Sequence, residues 1–205
     1  MPKAVTNEPM HHILVLSNDL REGVENFVST KSLERKRYQK ITAAGIPKIK
    51  EGDVLYISAH GYNSKDEKSA ANEIQTSRLG DMKPDQFHEF LVKSKLPNVL
   101  MKLKIFACFS AGLTLADGDT INVNQSFAGQ VASLLHKTHD KVTVYGYLDE
   151  LKLGAVVNGH KSGGTRLNDP TKAGFRAKDR RYEFALDGTI VGPSGPMKLK
   201  EQRWQ

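Results

Sequence analysis

The sequence predicts an α/β domain in which a mostly parallel central sheet has helices on both faces and a β-hairpin near the C-terminus. Short apolar runs rich in β-branched and aromatic residues recur along the chain, amphipathic stretches separate them, and an Asp-Gly dipeptide lies near the end. A chain of 205 residues suffices for one well-buried core and is short for two domains. We therefore expect one domain over residues 1–205, with its core at about 12–150 and a smaller β appendage at about 176–195.

Four runs are predicted to be buried strands because they are apolar on both faces. They read HILVLS (12–17), DVLYISA (53–59), LKIFACF (103–109) and VTVYGYL (142–148). Strands of this kind that alternate with helices build a parallel sheet that is covered on both sides.

Three stretches between the strands are predicted to be helices. A charged helix is expected within 21–44, ended by Gly45 and Pro47. The stretch PDQFHEFLVKSKL (84–96) begins with a proline, which is common in a first helical turn. QSFAGQVASLLHK (125–137) places its apolar residues on one face.

The last third of the chain departs from this alternation. The Gly-rich segment 159–175 is predicted to be a loop. RYEFALDGTIV (181–191) is predicted to be a hairpin that turns at Asp187-Gly188, a dipeptide that favours tight hairpin turns.

The only cysteine and one histidine lie just past two of the predicted strands. His60 follows DVLYISA, and Cys108 follows LKIFA. Ligand sites of parallel sheets lie beyond the carboxyl ends of the strands. If these two strands are parallel neighbours, the imidazole and the thiol emerge at the same edge of the sheet.

A thiol beside an imidazole is suited to acyl transfer. The thiolate is the attacking species, and a free thiol with a pKa near ~8.5 is only slightly ionised at neutral pH. The imidazole of His60 can accept the thiol proton and later protonate a leaving amine. Gly61 lets the backbone approach a substrate closely, and we expect its amide and that of Cys108 to form the oxyanion hole.

The segments YISAHG (56–61) and FACFSAG (106–112) resemble the strand-His-Gly and strand-Ala-Cys blocks of the caspase-like cysteine peptidases. That group includes caspases, legumains, clostripain, gingipains, separase and the self-processing protease domains of large bacterial toxins. The separation of about fifty residues between histidine and cysteine also matches caspases. The resemblance implies a caspase-like fold and a cysteine endopeptidase that cleaves peptide bonds through a thioester acyl-enzyme. It makes His60 the general acid/base and Cys108 the nucleophile, with no cofactor and no metal.

Residues around the cysteine are candidates for substrate binding. Members of the group that cut after arginine or lysine often have an acid two residues before the cysteine, where this chain has Phe106. Phe106 and Ser110 are expected to contact the substrate, which leaves an apolar preference open. Asp149 is a further candidate, as an acid that flanks the same rim.

Two other functions stay open. Cys108-Phe109-Ser110-Ala111-Gly112 is a G-x-S-x-G nucleophile elbow whose first glycine is replaced, so one alternative is an α/β serine hydrolase that uses Ser110. The other alternative is a catalytically silent caspase-like scaffold that binds an acidic partner.

The net charge is +7, and the basic residues are unevenly distributed. Residues 31–50 hold seven Lys and Arg against Glu34 alone, and residues 161–205 hold ten against five acids. Such blocks favour anionic partners. Aromatic residues are not interleaved with them as a nucleic-acid platform requires, so nucleic acid is not expected. The toxin domains are activated by an inositol polyphosphate, which makes an anionic small-molecule activator a hypothesis beside the protein or peptide substrate.

The sequence also bears on the compartment. No run approaches the ~20 apolar residues that cross a bilayer, so no membrane span is expected, and the first residues lack a hydrophobic signal core. A single cysteine excludes an internal disulfide and is typical of a reducing compartment. We expect a cytoplasmic protein, and the resemblance to toxin domains leaves delivery into a host cell open.

Overall fold

Seven strands form the central sheet. The computed structural model describes residues 8–33, 37–62, 73–75, 81–114, 120–121, 123–148, 150–153, 163–166, 175–177 and 180–192. The strands are β1 (His11–Val15), β2 (Tyr38–Ile41), β3 (Val54–Ser58), β4 (His60–Tyr62), β5 (Glu73–Gln75), β6 (Met101–Phe106), β7 (Leu113–Thr114), β8 (Thr120–Ile121), β9 (Val142–Tyr147), β10 (Glu150–Leu153), β11 (Gly163–Arg166), β12 (Phe175–Arg176), β13 (Arg181–Phe184) and β14 (Ile190–Val191). The order in the central sheet is β14-β13-β9-β6-β3-β1-β2.

Most of this sheet is parallel. The five strands β9, β6, β3, β1 and β2 run parallel to their neighbours, whereas β13 is antiparallel to β9 and β14 is antiparallel to β13. Each of the four apolar runs overlaps one of the parallel strands, so the predicted α/β class is confirmed.

Helices cover both faces of the sheet. They are α1 (Arg21–Leu33), α2 (Pro84–Lys93) and α3 (Phe127–Leu135). On one face α2 and α3 pack together, with the rings of Phe87 and Phe127 5.6 Å apart. On the other face the α1 residue Phe27 packs edge-on against Tyr38 of β2, with ring centres 5.1 Å apart. Within the described segments, no helix is both long and apolar enough to span a bilayer.

The apolar core fills the side of the sheet that faces α2 and α3. Successive residues of a strand point to opposite faces. On this side Leu55, Ile57, Leu103, Ile105 and Val144 are fully buried. Burying such a side chain contributes about 1.5–3 kcal/mol of transfer free energy, so this face supplies much of the stability of the fold.

The opposite face of the same strands is aromatic and basic. Tyr56, Lys104 and Tyr145 are neighbours across β3, β6 and β9. The Lys104 amine donates to the Tyr56 hydroxyl at 3.1 Å and lies 4.8 Å from the centre of its ring. Burial, helped by the positive charges of Arg181 and Lys102, lowers the pKa of Lys104 from 10.5 to about 8. Among the described residues, no carboxylate lies within ion-pair distance of this amine.

A polar network joins the starts of β1 and β3 to β2. The buried His12 donates from Nε2 to Asp53 Oδ2 at 2.9 Å, and the amide of Gln39 donates to Nδ1 at 2.8 Å. The Asp53 carboxylate also accepts hydrogen bonds from the backbone amides of Met10 and Lys50, each at 3.0 Å. Because a carboxylate only accepts, the proton of a neutral His12 lies on Nε2.

The predicted charged helix is shorter than expected. It ends at Leu33 and not at Gly45, and Tyr38–Ile41 forms the edge strand β2 within 21–44, the stretch in which the helix was expected. An edge strand that is half exposed lacks the continuous apolar run that marks β1 and β3. For that reason the sequence pattern gives no sign of it.

The C-terminal part of the chain is more regular than predicted. The hairpin at 181–191 is confirmed, with Gly188 in the left-handed region at φ 82°. Because β13 pairs with β9, the hairpin belongs to the central sheet and is not a separate appendage. The predicted loop 159–175 contains β11, which forms a three-stranded antiparallel sheet with β10 and β12. Its sequence, Gly-Gly-Thr-Arg, has no apolar alternation that would have revealed a strand.

Candidate active site

The histidine and the cysteine follow two neighbouring parallel strands. β3 and β6 are paired up to Ser58 and Phe106, and the amide of Ala59 extends the pairing by donating to the Phe106 carbonyl at 3.4 Å. His60 and Cys108 therefore both lie just beyond the carboxyl-terminal edge of the sheet, where sites form in parallel sheets.

Gly61 brings these two strand ends into backbone contact. A Cβ on Gly61 would lie 2.1 Å from the carbonyl oxygen of Cys108 and 3.1 Å from its carbonyl carbon. The obstructing atoms belong to the backbone and cannot swing aside. Only glycine allows β4 to pass this close to the residue that carries the thiol. The contact fixes His60, the adjacent residue, beside the Cys108 turn.

The imidazole of His60 is oriented by residues that follow β1. The Nε2 atom of the imidazole lies 2.6 Å from Asp19 Oδ2. The backbone amide of His60 donates to the buried hydroxyl of Ser17 at 3.3 Å. The hydrogen bond with His60 holds the pKa of the Asp19 carboxyl below its ordinary value of 3.8. A charged Asp19 selects the tautomer with the proton on Nε2, so Nδ1 carries the lone pair that can accept a proton.

Sequence reasoning missed Asp19. It lies in a short 3₁₀ turn, Asn18–Leu20, directly after β1, and β1 is the other parallel neighbour of β3. The polar stretch Ser17-Asn18-Asp19 after a buried strand was the available signal. Such a polar stretch is common in turns, and His60, the partner of Asp19, is 41 residues away in the chain.

Cys108 lies in a tight, strained turn. Phe109 has a left-handed backbone with φ 54°, which a residue with a side chain rarely adopts. The amide of Ser110 donates to the carbonyl of Ala107 at 3.3 Å, and that of Gly112 to the carbonyl of Phe109 at 3.0 Å. The turn leaves the Cys108 side chain half-buried at the end of β6.

Strand β10 passes over the thiol. The amide of Leu151 donates to Cys108 Sγ at 3.4 Å, and the thiol donates to the Leu151 carbonyl at 3.8 Å. Among the described residues, the imidazole of His60 is hydrogen-bonded to Asp19 and not to Cys108. The side chains of His60 and Cys108 thus lie at the same edge of the sheet, and in this conformation the sulfur is hydrogen-bonded to the backbone of β10.

Ser110 lies where it can neither attack nor bind a substrate. Its side chain is fully buried. The hydroxyl donates to the carbonyl of Ile105 at 2.8 Å and accepts from the amide of Tyr147 at 2.9 Å. We therefore correct the expectation that Ser110 contacts the substrate, because its hydroxyl has no access to solvent.

The other two candidate substrate contacts differ in what the structure shows. Phe106 is half-buried and packs edge-on against Tyr147 with ring centres 5.2 Å apart. Its position two residues before Cys108 is compatible with an apolar wall beside the thiol. Asp149 lies outside the described residues.

Within the described part of the chain, no three His, Cys, Asp or Glu side chains group as metal ligands would.

The backbone of β4 contains a candidate oxyanion donor. Ile74 is opposite Gly61 in the β4–β5 pair, but the amide and carbonyl of Ile74 both bond to Met82. Residues along an antiparallel strand alternate between bonded and non-bonded pairs. Gly61 and Ile74 therefore form a non-bonded pair, which directs the Gly61 amide away from β5.

Comparisons with protein families, with curated proteins and with solved structures found no match to this chain. The geometry of this site and the chemistry of its residues therefore provide the basis for a proposed function.

Proposed function

We propose that the protein is a caspase-like cysteine endopeptidase in which Cys108 attacks the substrate and His60 transfers protons. The observation that supports this most directly is the contact of Gly61 with the Cys108 carbonyl, since it keeps the histidine next to the cysteine. The hydrogen bond from His60 Nε2 to the Asp19 carboxylate adds support, because it gives the imidazole the fixed tautomer that a general base requires.

In the proposed reaction the sulfur of Cys108 attacks the carbonyl carbon of the scissile peptide, and the thiol proton passes to Nδ1 of His60. The carbonyl oxygen becomes an oxyanion, to which the amides of Gly61 and Cys108 donate. The C–N bond then breaks, the amine leaves with the proton from His60, and a thioester remains. Water gives a proton to His60 and attacks the thioester, which releases the carboxylic acid and restores the thiol.

In the proposed reaction, strand β10 holds the thiol of Cys108 before a substrate binds. The thiol that donates to the Leu151 carbonyl has to leave that acceptor before its proton can pass to His60. The sulfur therefore turns from Leu151 towards the imidazole when a substrate binds, and the conformation described above is the resting one.

The test compares wild-type protein with Cys108→Ala and His60→Ala on a mixed peptide library, with products identified by mass spectrometry. Cleavage by the wild type alone is the expected result and would also give the preferred residue at the cut. Iodoacetamide should label wild-type Cys108 faster than it labels the His60→Ala variant, because the imidazole raises the thiolate fraction. No cleavage, together with a labelling rate that does not depend on His60, would support the silent binding scaffold instead.

The serine hydrolase alternative has little support. The hydroxyl of Ser110 is fully buried and engaged in two hydrogen bonds. A fluorophosphonate probe should therefore leave Ser110 unlabelled. Labelling of Ser110 in a Cys108→Ala variant that keeps hydrolytic activity would restore this alternative.

An anionic activator fits the charge of the sheet face opposite the core. Lys104 is buried against Tyr56 and Tyr145, and Arg181 lies 4.9 Å from the Tyr145 ring. A phosphate group near Lys104 would stabilise the charge that burial disfavours. Inositol hexakisphosphate should raise the melting temperature of wild-type protein. Lys104→Met should remove this rise and Lys93→Met, an exposed lysine of α2, should keep it; no rise in the wild type would dismiss the activator.

The location is proposed on the sequence alone. A single cysteine fits a reducing compartment, so we keep the cytoplasm as the place of action, either in the producing cell or in a host cell. Detection of the protein in fractionated producing cells and in exposed host cells would decide between them.

A further inference from the structure

We propose that Ser110 is a positioning residue: its buried hydroxyl holds the strained turn at Phe109 and thereby fixes the thiol of Cys108. The inference rests on the proposed function, in which Cys108 is the nucleophile. It gives a role to a side chain that the reaction itself does not use.

The turn needs an external restraint. Phe109 is held at φ 54°, and a non-glycine residue in this region stores strain that persists only where the surrounding structure over-determines the backbone. The two turn hydrogen bonds, from Ser110 to Ala107 and from Gly112 to Phe109, have lengths of 3.3 and 3.0 Å. Such bonds close a turn but do not select the left-handed conformation.

Ser110 provides the restraint by joining three elements. Its hydroxyl donates to Ile105 of β6 at 2.8 Å and accepts from Tyr147 of β9 at 2.9 Å. Its carbonyl accepts from the amide of Ala128, in the first turn of α3, at 2.8 Å. The residue two positions after the cysteine is thus fixed to the strand before the turn, to the neighbouring strand and to a helix end.

The surroundings of Ser110 leave little room for adjustment. A Cβ on Gly146 would lie 2.5 Å from the Cβ of Ala128 and 2.8 Å from the Cβ of Ala111. The helix, β9 and the turn are therefore in direct contact through their smallest residues. With three sides fixed, the strain at Phe109 cannot relax through a shift of the turn.

Loss of the Ser110 hydroxyl would release this restraint. The amide of Tyr147 would lose the acceptor it has in this buried place, and Phe109 would be free to move towards a right-handed or extended backbone. Either change rotates the peptide that follows Cys108. A displacement of about 1 Å in a reacting group can cost about 10²-fold in rate.

The experiment compares Ser110→Ala with Ser126→Ala, a matched control at the N-terminus of α3. Ser126 is also fully buried, and its hydroxyl donates to the Val123 carbonyl at 2.6 Å and accepts from the Gly129 amide at 3.2 Å. Each variant thus removes one buried hydroxyl with one donated and one accepted bond, but only Ser110 touches the cysteine turn. The measurements are the melting temperature, the rate of Cys108 alkylation by iodoacetamide from pH 5 to 9, and kcat and KM for a cleaved peptide.

Both variants should lower the melting temperature. Only Ser110→Ala should alter the pH profile of alkylation, by about fivefold or more in rate at pH 7, and it should lower kcat about 10²-fold with little change in KM. A Ser110→Ala protein with the wild-type alkylation profile and kcat would overturn the proposal. If the wild type cleaves no peptide, the peptidase assignment fails, whereas alkylation still tests the role of Ser110 because it needs no substrate.

A second pair of variants covers the case in which Ser110→Ala does not fold. Phe109→Gly removes the strain, because glycine adopts the left-handed region without a steric cost. The double variant Phe109→Gly/Ser110→Ala should therefore fold and alkylate within about twofold of Phe109→Gly alone. A double variant whose alkylation rate at pH 7 differs about fivefold or more from that of Phe109→Gly alone, or one that does not fold although Phe109→Gly does, would show that Ser110 does not act through this turn.

Discussion

Asp19 connects the first strand of the chain to the chemistry of the site. Its carboxylate lies 2.6 Å from Nε2 of His60, and its lowered pKa keeps it charged through the neutral range. Asp19→Asn keeps the shape but removes the charge, and an amide can also select the wrong imidazole tautomer. We expect kcat/KM for a library-derived peptide to fall by about 10²-fold, because His60, the proposed general base, loses the group that orients it.

The control for this prediction is Glu22→Gln, which removes an exposed acid three residues further along the chain. It should leave kcat/KM unchanged. Since Asp19 is itself largely exposed, Asp19→Asn should keep the wild-type melting temperature within a few degrees. Equal kcat/KM in the two variants would remove Asp19 from the mechanism.

At the residue scale, the sequence could predict those members of the site whose chemistry is rare. His60 and Cys108 each follow a recognisable strand, and few other residue types can act as a base or a nucleophile. From the sequence, Gly61 could be predicted to permit a close approach of the backbone. The sequence could not show that the group approached is the Cys108 carbonyl. Asp19 and Ser110 could not be assigned, because aspartate and serine are ordinary turn residues and the roles proposed for them depend on contacts with residues that are distant in sequence.

At the scale of secondary-structure elements, α3 lies unusually close to β9. The contact passes through Gly146, where an added Cβ would lie 2.5 Å from Ala128 Cβ and 2.8 Å from Ala111 Cβ. Gly146→Ala should therefore overpack the helix–strand contact and lower the free energy of unfolding by about 1–3 kcal/mol. Urea denaturation followed by circular dichroism measures this change.

Gly45→Ala provides the comparison for Gly146→Ala. Its Cβ would meet the side chain of Ile41 at 3.1 Å and has no backbone in its way. A side chain at a half-exposed edge strand can move by a few tenths of an ångström. Gly45→Ala should therefore lower the free energy of unfolding clearly less than Gly146→Ala does. Equal losses at the two glycines would mean that α3 can shift away from β9 at low cost.

Among the five parallel strands, the four that the sequence predicted are buried on both faces. β1, β3, β6 and β9 have continuous apolar runs because helices or packed side chains cover both of their sides. β2 is a half-exposed edge strand and β11 is Gly-rich, so neither has a pattern that distinguishes it from loop. The pairing of β13 with β9 depends on strand order, which local periodicity does not encode.

At the scale of the whole molecule, the two ends of the parallel strands differ in structure. The carboxyl-terminal end holds His60, Cys108 and a turn whose backbone strain at Phe109 destabilises the folded state. The opposite end holds the His12–Asp53 network, which joins β1 to the start of β3 and, through Gln39, to β2. Strain at one end of these parallel strands is tolerable because the other end is fixed by satisfied buried hydrogen bonds.

This division predicts how the stability of the molecule depends on pH. Burial alone raises the pKa of the Asp53 carboxyl, but hydrogen bonds from His12, Lys50 and Met10 outweigh burial and hold the pKa below its ordinary value of 3.8. The folded state then binds fewer protons than the unfolded state near this pH. The contribution of Asp53 is fully present above the ordinary value and is lost as the pH falls through the lower, folded-state pKa.

Asp53→Asn should therefore lower the free energy of unfolding by about 1–3 kcal/mol at pH 7, since charged hydrogen bonds to a buried group are lost. The difference from wild type should shrink as the pH is lowered below about 4, where the wild-type carboxylate is protonated as well. Urea unfolding at a series of pH values between 7 and 3 measures both effects, and Glu51→Gln, an exposed acid two residues away, should follow the wild-type curve. A difference that stays constant over this pH range would mean that the charge of Asp53 does not stabilise the network, and the starts of the three strands would then depend on apolar packing alone.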